Sequence, residues 1–258
     1  MIKALRALFM MLGPLFKGNI KLAKKTGIVV VGVQRSAKYG NCPGATVDAA
    51  NMTSLLSKYA KPVVLNDAKA TKAAVSNALL NAVKNNDLAI FYFSGHGGSD
   101  PIGDVSGETD GKNESICLYN TYMLDNEIWN IVRQAKDRVF LIFDCCHSET
   151  MFRHPEMSMR AFTGSQNDTE SQRINYGLEP RGSGVNLLVW SGCPDNGLSY
   201  CYDTGGFLTT TIYKVWRNHP RIATYDQIWK NVVRANILKM QHPKRTLLGH
   251  GFGGPAFR

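Results

Sequence analysis

The stretch DLAIFYFSGHGG (87–98) decides how the rest of the chain reads. From Leu88 to Phe93 every residue is apolar, and the run stops at Ser94-Gly95. A short apolar run rich in β-branched and aromatic residues, closed by a turn signal, marks a strand buried on both faces. RVFLIFDCCHS (138–148) repeats the pattern, its apolar part ending at Asp144. Working outward, GIVVVGV (27–33), PVVLN (62–66) and VNLLVWS (185–191) read as further strands. Helical spacing of apolar residues covers 48–59, 71–83 and 124–134, and two closing helices cover 207–216 and 225–239. Strands alternating with helices predict an α/β fold with a mostly parallel central sheet, covered on both faces.

Two stretches fall outside this rhythm. The segment 99–114 is polar and holds Asp100, Asp104, Glu108, Asp110 and Glu114. The segment 149–184 is a long insertion carrying Arg153, Arg160, Arg173 and Arg181. Loops of that length are usually functional or flexible.

At 258 residues with 44% hydrophobic and 19% charged residues, a disordered chain or a small disulfide scaffold is excluded. The net charge of +10 first suggests an acidic partner, nucleic acid or membrane. Yet Lys3, Arg6, Lys17, Lys21, Lys24 and Lys25 stand in the first 25 residues with no acid among them. The basic signal therefore belongs to an N-terminal arm, residues 1–25, and no nucleic-acid partner is expected for the body, 26–258. Leu5, Leu8, Phe9, Leu12 and Phe16 give the arm an apolar stripe, but its unbroken apolar run is too short to span a bilayer. It reads as an amphipathic helix touching a membrane surface or partner, or as a pro-segment packed on the domain. The six cysteines form no CxxC pair and no even ladder, which fits a reducing, cytoplasmic setting.

The chemistry gathers at two strand ends. In an open parallel sheet, ligands bind beyond the carboxyl ends of the strands. One strong strand runs into Ser94-Gly95-His96-Gly97-Gly98, the other into Asp144-Cys145-Cys146-His147. If the strands are neighbours, His96 meets a cysteine, and an imidazole beside a thiol is what makes a thiolate near neutral pH. Period-two alternation sends Asp144 and Cys146 to one side and Cys145 to the other, so Cys146 is the nucleophile and Cys145 a small buried residue. The glycines flanking His96 let a substrate backbone approach and offer an amide to an oxyanion. A metal site at Cys145, Cys146 and His147 is disfavoured, because three consecutive residues do not make a tetrahedral set.

These residues resemble the metacaspase and orthocaspase branch of the caspase-like cysteine peptidases. The matching motifs are SGHGG (94–98), DCCHS (144–148), VDAANM (47–52), SGCPDN (191–196), GGFLTTTI (205–212) and QHPKR (241–245). The resemblance implies a caspase-like α/β/α sandwich, with a large-subunit-like part at 26–148, a linker at 149–184 and a small-subunit-like part at 185–258. It implies an endopeptidase cutting protein or peptide substrates after Arg or Lys, with His96 as base and acid, Cys146 as nucleophile, and the amides of Gly97 and Cys146 as oxyanion hole. Asp48 and Asp144 would be the pocket carboxylates. Asp195, with Asn196, would border the cleft, or serve as a plain turn residue. Calcium is the one cofactor raised: Asp110 and Asp125 are the candidate ligands, with Glu127 and Asn126 behind them. Against calcium, Asn126 stands where relatives carry an aspartate, and Arg153 stands where a further acid is expected. The resemblance further implies self-cleavage after a linker arginine and a monomer. The rival reading is a regulated caspase-like scaffold recruited by its basic arm.

Overall fold

The computed structural model describes residues 25–100, 113–145, 185–192, 201–218, 224–235, 243–249 and 251–252. A six-stranded sheet forms its centre, built from β1 (Thr26–Gly32), β4 (Val63–Asn66), β5 (Leu88–Ser94), β9 (Arg138–Asp144), β10 (Asn186–Ser191) and β13 (Lys244–Leu248). The order across it is β13-β10-β9-β5-β1-β4. All pairings are parallel except β10 with β13, which run antiparallel.

Every residue of β5 and β9 is buried, as an apolar run between two helical layers requires. Alternate side chains feed two cores. Phe91, Phe93, Leu141, Phe143 and Cys145 lie in one, with α2 (Lys72–Asn85) and α3 (Asp125–Val132) packed over them. Ile90, Tyr92, Phe140 and Ile142 lie in the other, under α1 (Ala45–Leu56), α4 (Phe207–Arg217) and α5 (Tyr225–Ala235). The second core is aromatic: the Phe140 ring meets Trp190 edge-on at 4.9 Å and Tyr225 at 5.2 Å. The fold is thus the α/β/α sandwich expected from the sequence.

The chain passes from β1 out to β4 on one side and then to β5 on the other. The order therefore reverses between β1 and β5, and a crevice opens at their carboxyl ends. Small elements line that end: the hairpin β2 (Arg35–Ser36) and β3 (Gly40–Asn41), a three-stranded sheet of β6 (Gly97–Asp100), β7 (Asn113–Cys117) and β8 (Tyr122–Leu124), and the pair β11 (Cys201–Tyr202) and β12 (Gly205–Gly206).

Three expectations need adjustment. The first helix begins at Ala45 rather than at 48, because Gly44 caps it in the left-handed region (φ 82°) and no Ser, Thr or Asp marks the start. The ends of the polar segment 99–114 are paired strand, with Ser99 opposite Glu114 and Glu114 buried. The chain also adds β13 at the sheet edge, where the sequence suggested no strand. The basic arm up to residue 24 and the linker 149–184 lie outside the described residues. Among the described residues no helix is long and apolar enough to cross a membrane.

Candidate active site

β5 and β9 are neighbours, in a register that ends with Ser94 opposite Asp144. His96 follows Ser94 by two residues, just beyond the end of β5, and Cys146 follows Asp144 by two in the sequence. Cys146 itself lies outside the described residues. Cys145 is buried in the core beneath α2 and α3, so the alternation holds to that point: Asp144 turns to the opposite face, toward α1 and α4.

His96 is partly exposed, and its Nε2 lies 3.0 Å from the carbonyl oxygen of Asn41. A carbonyl oxygen only accepts, so Nε2 carries the hydrogen and Nδ1 is left with the lone pair of the neutral ring. The β2–β3 hairpin thus selects the tautomer. On its other side, the His96 carbonyl accepts from Cys117 N–H at 2.9 Å, which ties the loop to β7. Gly97 opens β6, opposite Ile116.

Asp48 and Asp144 come together at the N-terminus of α4. Asp48 is fully buried, and both of its oxygens accept from Gly206 N–H, at 2.9 and 2.8 Å. Its Oδ2 also accepts from the Ser94 hydroxyl at 2.9 Å. Asp144 Oδ2 accepts from Thr209 N–H at 2.8 Å and from Thr209 Oγ1–H at 2.7 Å. Thr209 Oγ1 in turn lies 2.5 Å from the Tyr92 hydroxyl. Burial, and then the charge of Asp144, push Asp48 up to about 7, against the opposing pull of Gly206 N–H and Ser94. Burial likewise holds Tyr92 well above the ordinary phenol range.

Two buried carboxylates facing each other are costly alone and are relieved by a cation between them. Their support comes from β12 and α4, far along the chain: Gly206 is 158 residues from Asp48. Gly44 makes this possible, because a side chain there would run into Tyr202 and stand 2.7 Å from Gly205 N. The sequence points to Asp48, Asp144 and His96, and the structure brings these three to one end of the sheet. The sequence does not reveal Ser94, Gly206, Thr209, Tyr92 and the Asn41 carbonyl as their partners. Only the motif GGFLTTTI (205–212) hinted at the region.

The remaining site residues divide. Asp195 and Asp110 lie outside the described residues. Asp125 is buried at the first turn of α3, and its Oδ1 accepts from Asn126 N–H at 2.7 Å. Glu127 is committed twice, accepting from Leu124 N–H at 2.9 Å and pairing with Lys72 at 2.6 Å. Calcium takes about six to eight oxygens. Among the described residues no group of three His, Cys, Asp or Glu side chains converges to hold a metal. The described donors do not by themselves fit calcium.

Comparison with known proteins bears on the family and the fold. Residues 28–243 match the family model described as the caspase domain. Metacaspase-1 of Emericella nidulans is 31% identical over 155 residues, covering 50% of this chain and 38% of the relative. Metacaspase-1 of Coccidioides immitis is 32% identical over 146 residues, covering 48% of this chain and 31% of the relative. The aligned part thus spans well under half the length of these curated relatives. Among solved structures, caspase-1 of Spodoptera frugiperda matches with a TM-score of 0.59 at 12% identity, covering 89% of this chain and 92% of that one. A Geobacter sulfurreducens protein matches with a TM-score of 0.69 at 23% identity, covering 90% and 98%. At those identities the structures speak to the fold, while the family model spans most of the chain: it belongs to the caspase-domain family, and metacaspases are among the relatives its sequence resembles.

Proposed function

We propose that the protein is a cysteine endopeptidase that hydrolyses peptide bonds after Arg or Lys. The observation that carries this reading is the convergence of the buried Asp48 and Asp144 carboxylates at the same sheet end as His96. A guanidinium or ammonium group is the substrate feature that such a pair of anions recognises, and a planar guanidinium can engage both.

In this mechanism His96 takes the Cys146 thiol proton on Nδ1, the nitrogen left open by the Asn41 contact. The imidazolium that results has Nε2–H already directed at a carbonyl oxygen, which stabilises the charge. The Cys146 thiolate attacks the scissile carbonyl carbon, and the amides of Gly97 and Cys146 donate to the oxyanion. His96 then gives its proton to the leaving amine, and water, activated by the same ring, releases the acyl-enzyme. The arginines of the 149–184 linker have the chemistry of substrates for such a pocket, so self-cleavage there belongs to this reading.

The test is hydrolysis of fluorogenic arginyl peptides by the full chain and by Cys146→Ala, each with calcium and with chelator. Activity confined to the wild type supports the nucleophile, and its dependence on calcium is read from the same plate. Equal rates in the two proteins would overturn the assignment of Cys146.

A further inference from the structure

The two pocket carboxylates are held differently. Asp48 shares one amide between its oxygens and receives one hydroxyl. Asp144 concentrates two donors of a single residue, Thr209, on Oδ2. Thr209 Oγ1 has one proton, and that proton goes to Asp144. The Tyr92 hydroxyl beside it must therefore donate to Thr209 rather than accept from it. Tyr92 and Thr209 are fully buried and Asp144 nearly so, which gives a dry, one-directional chain from Tyr92 through Thr209 to Asp144. Thr209 also lies in the first turn of α4, so its N–H is one of the donors the helix leaves unpaired. Every member of this chain favours negative charge on Asp144.

We propose that Thr209, backed by Tyr92, is a positioning residue of the pocket: it fixes Asp144 as the standing anion and leaves Asp48 as the carboxylate that gives up its proton when a cationic side chain enters. The inference rests on the Arg/Lys reading of the pocket. Burial and the charge of Asp144 hold Asp48 at about 7, in agreement with that division. Among the described residues, the titratable groups facing Asp48 are Asp144 from β9 and Tyr92 from β5. Ser94, Gly206 and Thr209 add only hydroxyls and amides. The proton balance is simple: the Asp48 carboxyl becomes a carboxylate paired with the incoming cation, and its proton goes to solvent.

The experiment uses the full chain carrying Cys146→Ala, so that nothing turns over, and N-acetyl-arginine amide as the probe. Calorimetry in two buffers of different ionisation enthalpy gives affinity and protons released. About one proton should leave per probe bound at pH 6 and almost none at pH 8. Thr209→Val should weaken binding about tenfold or more, while Thr209→Ser, which keeps the hydroxyl, should stay within about threefold of the parent. Tyr92→Phe, which removes the hydroxyl that backs Thr209 and also bonds Ser94, should weaken binding about threefold, and it decides the matter if Thr209→Val does not fold. In the active chain, the same substitutions should raise KM for arginyl peptides and change kcat little. Unchanged affinity and an unchanged proton count in Thr209→Val and Tyr92→Phe would overturn the inference. A parent chain that does not bind the probe at all would instead overturn the Arg/Lys reading beneath it.

Discussion

The side chain of His96 and the backbone carbonyl of Asn41 lie 3.0 Å apart, joining two loops that β1 and β5 send out from the same sheet edge. The contact leaves Nδ1 as the ring's proton acceptor, and it uses the backbone of Asn41 rather than its side chain. Asn41→Ala should therefore leave peptide hydrolysis within about twofold of wild type. Gly40 is different. It holds φ at 78°, which a β-branched residue resists, so Gly40→Val should displace the hairpin carbonyl and lower kcat about tenfold or more with little change in KM. Steady-state kinetics on both variants checks this, and equal kcat values would break the link between hairpin and base.

Gly206 gives a test of the pocket that does not touch its charges. Its backbone, at φ −73° and ψ 152°, suits any residue. A methyl group there would nonetheless collide with Asp144 Oδ2 and stand 3.1 Å from Asp48 Oδ2. Gly206→Ala should thus cost about 1–3 kcal/mol of stability through overpacking. It should also raise KM for arginyl peptides, and denaturant unfolding with kinetics on the same preparation reads both. A variant as stable and active as wild type would show that the two carboxylates are not packed this closely.

The pH dependence of folding follows from Asp48. Its folded value of about 7 stands above the ordinary 3.8, so the folded chain holds this proton more tightly than the unfolded chain does. That contribution to stability is complete below about pH 4 and is lost as pH rises through about 7. Asp48→Asn should remove it. The melting temperature of wild type relative to Asp48→Asn should therefore fall between pH 5 and pH 8, and bound N-acetyl-arginine amide should restore part of the loss. Thermal unfolding at four pH values decides the point, and parallel curves would contradict it.

Much of this was legible in the sequence, and the reasons are physical. A strand buried on both faces has to be apolar throughout, so RVFLIFD (138–144) marks its own bounds, and β9 covers those residues. The period of two then assigns Asp144 and Cys145 to opposite faces. The partners of the acids were hidden for the opposite reason. Gly206 and Thr209 act through a backbone amide and a common hydroxyl, and they reach Asp48 and Asp144 across 158 and 65 residues of chain. No local pattern records such a contact. The small hairpins were silent too: Arg35–Ser36 with Gly40–Asn41 is too short for an alternation to show, yet it supplies the carbonyl that orients His96.

The central claim is that buried anions select the residue before the cut bond. The most direct measurement compares hydrolysis of otherwise identical fluorogenic peptides ending in Arg, Lys, Asp or Asn by wild type and by Asp48→Asn, with reactive thiol titrated in each. The account predicts that wild type cleaves after Arg and Lys, and that Asp48→Asn loses this preference by about a hundredfold while its thiol titre is unchanged. Retained arginyl cleavage in Asp48→Asn, or wild-type cleavage after Asp or Asn instead, would contradict it.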